Sequence, residues 1–181
     1  MNRLGVETLP TLRVPVGNCA PPLAGRASST GGGTPYLDPG AYTLDNGSGG
    51  SAVGPFRTTY NVAAPLTWSN EPAISAVTRS QGVQITWTGG DPNSYVYITG
   101  SSVNITNNSG ASFVCLERVS AGGFTVPPPV LLALPASGGA QFPTGTLSVG
   151  SFSTPSRFTA PGLDAGFVTS LSFRSKSLNY Q

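Results

Sequence analysis

The sequence predicts an all-β protein, an antiparallel sandwich preceded by an irregular Gly/Pro/Ser-rich segment, and three observations carry that expectation. Among 181 residues there are 24 glycines and 17 prolines, which argues against long helices, because an interior Pro costs about 3 kcal/mol and an interior Gly about 1 kcal/mol in a helix. Short apolar stretches alternate with polar residues at a period of two, the pattern of half-buried strands. Turn clusters part these stretches at spacings of roughly ten residues. Hydrophobic residues make up 38% of the chain, enough for one core, and the length suits one domain or one domain with an annex at about 100–200 residues per domain.

Taken in chain order, residues 1–37 are expected to be irregular or extended, and residues 38–181 to form the sandwich. Gly, Pro, Ser and Asn dominate Asn18 to Gly54, which is turn and loop material. Within that stretch Gly40 to Leu44 is a short strand candidate, and the Asn46-Gly47 step favours a tight turn. From Phe56 to Val62, Phe56, Thr58, Tyr60 and Val62 share one face of a strand.

The clearest local signal is Gly82 to Asp91, where Val83, Ile85 and Trp87 alternate with Gln84, Thr86 and Thr88. Three apolar side chains then line one sheet face, with Trp87 as the central packing residue. Gly89 to Ser94 is turn chemistry throughout, and Tyr95 to Thr99 supplies a second strand, so the two are expected to form a β-hairpin.

Ser112 to Glu117, Gly123 to Val126 and Gly145 to Val149 are further strand candidates. The apolar run Pro129 to Pro135 is fenced by prolines and is expected to be a buried strand. Val168 to Tyr180 closes the chain. There Leu171 and Phe173 share one parity and Leu178 and Tyr180 the other, which implies a bulge or break near Arg174 to Ser177. Strands of this length and spacing suggest an immunoglobulin- or fibronectin-like plan, although the Cys…Trp…Cys spacing of antibody domains is absent.

Charge narrows the range of functions. There is no histidine, and charged residues make up 9% of the chain where about 25% is usual. Proton transfer, metal binding and phosphate contact draw on those side chains, so neither an enzyme nor a cofactor is expected. The net charge is +2 and the basic residues come singly apart from Arg174 and Lys176, so no nucleic-acid surface or polybasic anchor is expected. No membrane insertion is expected either, since Met1 to Pro10 lacks the apolar stretch of a span. Low charge also limits repulsion between copies.

Met1 to Pro10 reads MNRLGVETLP, without the apolar stretch of a secretory signal. The Ser/Thr/Gly/Asn-rich, Lys-poor composition nevertheless suits an extracellular or cell-surface location, so the chain is expected to be a fragment of a longer exported protein. Cys19 and Cys115 are too far apart for a redox pair and too few for a zinc site. Two readings stay open for them: independent core residues, or one disulfide suited to an oxidising compartment.

The phrases TWSNEPAISAVTRSQGVQITWTGGDPNSYVYITGSS (Thr67 to Ser102), GGFTVPPPVLLALPASG (Gly122 to Gly138) and GTLSVGS (Gly145 to Ser151) occur together with a terminal FTAPGLDAGFVTSLSFRSKSLNYQ. In these phrases the chain, over Asp38 to Gln181, resembles uncharacterised β-sandwich domains at the C-terminal ends of large secreted acidobacterial proteins. The resemblance implies an exported sandwich and brings no catalytic or ligand residues with it.

Asp38, Asp45, Asp91 and Asp164 lie beside Gly or Pro or within turns, where Asp caps backbone amides. Without histidine, only Lys176 offers a serine a base. Asn46-Gly-Ser48, Asn104-Ile-Thr106 and Asn107-Asn-Ser109 match the glycosylation sequon and mark surface stretches. Two functions of different class are expected. The first is a non-catalytic structural or adhesive module whose partners are its own copies or cell-surface and matrix components. The second is a carbohydrate-binding module that stacks a polysaccharide on Tyr95, Tyr97 and Trp68 beside Asp91 and Asn93.

Overall fold

The computed structural model describes residues 11–13, as backbone, and 37–181. Within residues 37–181 strands make up 50% and helix 8%, so the protein is all-β, and one of its sheets curls into a half-barrel. No helix among the described residues is long and apolar enough to cross a membrane.

Two compact units share the chain. The first takes in the described residues up to Ala64 together with Thr154–Ser170, and the second Pro65–Ser153 together with Leu171–Gln181. The sequence draws a single boundary at residue 37, whereas residues 38–64 group with Thr154–Ser170.

In the first unit β1 (Thr11–Arg13) runs parallel to β2 (Gly40–Asp45), which pairs antiparallel with β3 (Arg57–Val62). The expected tight turn forms at Asn46–Gly49, where the Gly49 amide donates to Asn46 O, but it opens a longer loop instead of joining β2 directly to β3. Gly47 donates to the Asp45 carboxylate, as an Asx turn requires. The Asn46 side chain then donates to Gly54 O and accepts from Phe56 N, so it clasps the loop and delays the return strand to Arg57. Tyr60 alternates inward as expected, and its hydroxyl donates to Ser170 Oγ and accepts from Ser170 N. Phe56 stacks on Phe158 with ring centroids 4.5 Å apart.

The second unit holds two sheets around one apolar cluster. The smaller sheet orders β4 (Leu66–Trp68), β6 (Val83–Gly89) and β9 (Gly123–Val126) as β4-β6-β9. The larger comprises β5 (Ala76–Val77), β7 (Tyr95–Asn104), β8 (Ser109–Arg118), β10 (Gly145–Phe152) and β13 (Leu171–Tyr180), ordered β5-β13-β10-β7-β8. Between β10 and β13, β11 (Ser156–Phe158) and β12 (Gly166–Val168) form a small hairpin in the first unit.

Val83, Ile85 and Trp87 point into the core as the alternation predicts, and the Trp87 indole donates to Val119 O at 2.8 Å. The expected β6–β7 hairpin does not form, because the two strands belong to different sheets. Each already has partners on both sides, β4 and β9 for β6, and β8 and β10 for β7. Gly89 and Gly90 both take positive φ, at 74° and 78°, so the chain crosses to the opposite sheet where a side chain would be strained.

The run after Pro127 is one turn of helix, α1 (Pro128–Leu132), rather than a strand. Prolines suit it because the first-turn N–H groups they lack have no intrahelical partner anyway. Leu131 and Leu134, three apart, reach the core, while Leu132 faces solvent. The bulge expected near Arg174 is absent, since β10 and β13 stay in unbroken register from Gly145↔Leu178 to Phe152↔Leu171. Leu178 and Tyr180 face the core, and Leu171 and Phe173 simply point the other way.

Candidate functional site

That outward parity leads to the surface with most chemical character. In β7, Val96 and Ile98 are fully buried, so Tyr95 and Tyr97 look outward. Register then assigns their neighbours on the outer face. Tyr95 sits in a row with Phe152, Leu171 and Arg118, and Tyr97 in a row with Gly150, Phe173 and Leu116. Two further rows carry Thr99, Ser148, Ser175 and Val114, then Ser101, Thr146, Ser177 and Ser112. One end of this face is aromatic and the other is paved with hydroxyls.

Local contacts fix the aromatic end. Tyr97 meets Phe152 edge-on with centroids 5.9 Å apart, a favoured arrangement for aromatic rings. The Arg118 guanidinium lies 5.2 Å from the Tyr95 ring centroid, within cation–π range. Gly150 has no side chain because the Phe173 ring occupies the space where a Cβ would stand. At the other end Ser101 and Thr146 hydroxyls are 2.8 Å apart, and those of Ser148 and Ser175 2.7 Å apart. The apolar members are open to solvent: Val114 is 66% exposed, Leu171 58% and Leu116 49%.

Of the predicted ligand residues, only Tyr95 and Tyr97 belong to this face. Trp68 is 4% exposed and cannot serve as a stacking platform. It lies opposite Trp87 in the smaller sheet, inside the core, with its indole N–H held by Asn70 Oδ1 at 2.9 Å. Asp91 and Asn93 build the turn between sheets: Asp91 Oδ1 accepts from Asn93 N, and Asp91 O accepts from both the Ser94 amide and its hydroxyl.

The sequence missed Leu116, Val114, Phe152, Leu171, Phe173 and Arg118. A signal was present, because the β8 segment Phe113-Val-Cys-Leu116 is apolar at both parities, so one of its faces had to put apolar groups into solvent.

Other candidates are held in structural contacts. Lys176 donates to Glu71 O at 2.8 Å and Arg174 pairs with the Glu71 carboxylate, so both fasten the turn at Glu71–Ala73 to β13. In two of the three sequons the Asn amide is occupied, Asn46 by Gly54 O and Asn104 by Ala136 O, while Asn107 is exposed at the β7–β8 tip. Burial pushes the Cys115 thiol up from its ordinary pKa, which keeps it protonated and weakly nucleophilic. Cys19, with which it would form the disulfide of the second reading, lies outside the described residues. Among the described residues no three of Cys, Asp and Glu converge to hold a metal ion.

The chain matches no protein-family model, no curated protein and no solved structure.

Proposed function

We propose that this chain is a non-catalytic structural or adhesive module of an exported protein, acting outside the cell and associating with its own copies. The observation that carries the reading is strand β8. It ends the larger sheet, runs ten residues, and contains neither Pro nor Lys. An edge strand offers unpaired N–H and C=O groups to any chain that can pair with it, and proteins usually guard such edges with charge, proline or a covering element. Here the charges, Glu117 and Arg118, stand together at one end, and among the described residues the middle of the strand projects Val114 and Leu116 into solvent.

An immunoglobulin- or fibronectin-like plan is part of the proposal. The order β4-β6-β9 fits strands A-B-E of such a sandwich, and β8-β7-β10-β13 fits C′-C-F-G. On that plan residues 153–170 are an enlarged F–G connection, at an end where sandwich domains carry binding loops. The Lys-poor, Ser/Thr/Gly-rich composition and the resemblance to domains of secreted acidobacterial proteins support the exported setting.

Outward-facing Tyr95 and Tyr97 favour a second reading, a polysaccharide-binding module. Light scattering across a concentration series, beside a glycan panel, separates the two. The adhesive reading expects particle mass to rise with concentration and no glycan to bind. Glycan binding lost in Tyr95→Ala or Tyr97→Ala, with a particle that stays monomeric, would transfer the assignment to the second reading.

A further inference from the structure

We propose that two copies join β8 to β8, antiparallel about a two-fold axis at Val114, so that two five-stranded sheets become one of ten strands. The inference rests on the adhesive reading and names its partner and contact.

The edge is regular enough to pair. All ten residues of β8 stay in register with β7, from Tyr95↔Arg118 to Asn104↔Ser109, with no bulge to twist the edge away. Its outward backbone groups therefore repeat at the spacing that a second strand requires. At one end the Arg118 amide donates to Glu117 Oε1 and would exchange that partner on pairing.

Charge selects the direction. Glu117 and Arg118 sit together at one end of the strand, and the other end is Ser109, Gly110 and Ala111. A parallel copy in register would set Glu117 against Glu117 and Arg118 against Arg118, and like charges directly opposite destabilise a pair. In an antiparallel copy centred on Val114, Arg118 lies opposite Gly110 and Glu117 opposite Ala111, so no charge meets its like. Two Val114 side chains then meet each other, and Leu116 meets Ser112.

Symmetry and area agree with a closed pair. Centring on a residue places the outer face of both sheets on the same side, so the two outward apolar patches become continuous, and a two-fold contact closes without growing into a fibre. Pairing over Gly110 to Arg118 spans about 30 Å, and two sheets with their side chains are about 20 Å thick. That gives about 1,200 Å² buried in total, the lower end of specific interfaces. A dissociation constant of about 1–100 μM is expected for so small a contact.

The test uses the full chain with Cys19→Ser and Cys115→Ser, adding either Val114→Cys or Ser112→Cys. The pairing holds two Val114 Cα atoms about 4.5–5.5 Å apart, within reach of a disulfide, and two Ser112 Cα atoms about 14 Å apart along the strand. Mild oxidation is expected to yield a covalent dimer from Val114→Cys and little from Ser112→Cys. Val114→Lys, with an unchanged circular dichroism spectrum, is expected to weaken association about tenfold or more by setting two ammonium groups face to face. If the unaltered chain associates but Val114→Cys fails to cross-link or Val114→Lys associates equally well, this pairing is wrong and the adhesive reading stands. If the unaltered chain stays monomeric throughout, both fall.

Discussion

The two edges of the five-stranded sheet differ in how the chain leaves them. At β5 the edge strand is two residues long, Ala76–Val77, and runs parallel to β13 through Asn179↔Ala76 and Tyr180↔Val77. The chain then turns away, and Arg79 ties the corner down, its amide donating to Gln181 O and its guanidinium to Leu134 O at 2.7 Å. Val77 is 1% exposed. At β8 the edge runs ten residues with Val114 in solvent. A sheet edge is closed less by its own strand than by what the chain does next, and among the described residues only the β5 edge is closed in this way.

Putting the same substitution on both edges gives the largest contrast. Val77→Asp places a carboxylate in the core without a partner, which is expected to cost more than about 4 kcal/mol, read as loss of the folded baseline in urea titration. Val114→Asp is expected to change stability by less than about 0.5 kcal/mol, as exposed positions do. Equal losses at the two sites would mean that β8 is not an open edge.

Arg79→Met tests the corner beside β5. It removes the hydrogen bond to Leu134 O and leaves that carbonyl short of a partner, at an expected cost of about 1–3 kcal/mol. A denaturation midpoint that does not move would show that the corner is held by other contacts.

Alkaline pH acts on the β5 side too. Burial raises the Tyr180 phenol above its ordinary pKa of 10.0, and its hydroxyl donates to Thr146 O. The folded state therefore keeps a proton that the unfolded chain gives up. Stability from this group is present below pH 10.0 and declines above it by up to about 1.4 kcal/mol per pH unit. Tyr180→Phe is expected to start less stable at neutral pH and to lose less between pH 10 and 11, which urea titrations at the two pH values would read.

The sequence made the inner side of this molecule legible and left the edges dark. Alternation at Val83, Ile85 and Trp87 names the core face because only one parity is apolar. In β8 both parities are apolar, and in β13 the apolar parity changes along the strand, so period alone cannot say which face meets water. Leu171 and Phe173 therefore suggested a bulge where the strand runs straight. Pairing is a long-range property: the turn at Gly89 to Ser94 has hairpin composition, and only the partners already flanking β6 and β7 send the chain across to the other sheet. Trp68 was misplaced for a similar reason, since a three-residue strand carries too little pattern to show its inward face.

Sedimentation velocity of the intact chain beside Val114→Lys, at matched concentrations from about 1 to 300 μM, spanning the weak affinity expected of so small an interface, tests most directly whether β8 is the interaction edge. The account predicts that the unaltered chain shifts from monomer toward dimer across this range while Val114→Lys remains monomeric with the same fold. Identical behaviour of the two proteins, whether both monomeric or both associated, would contradict it.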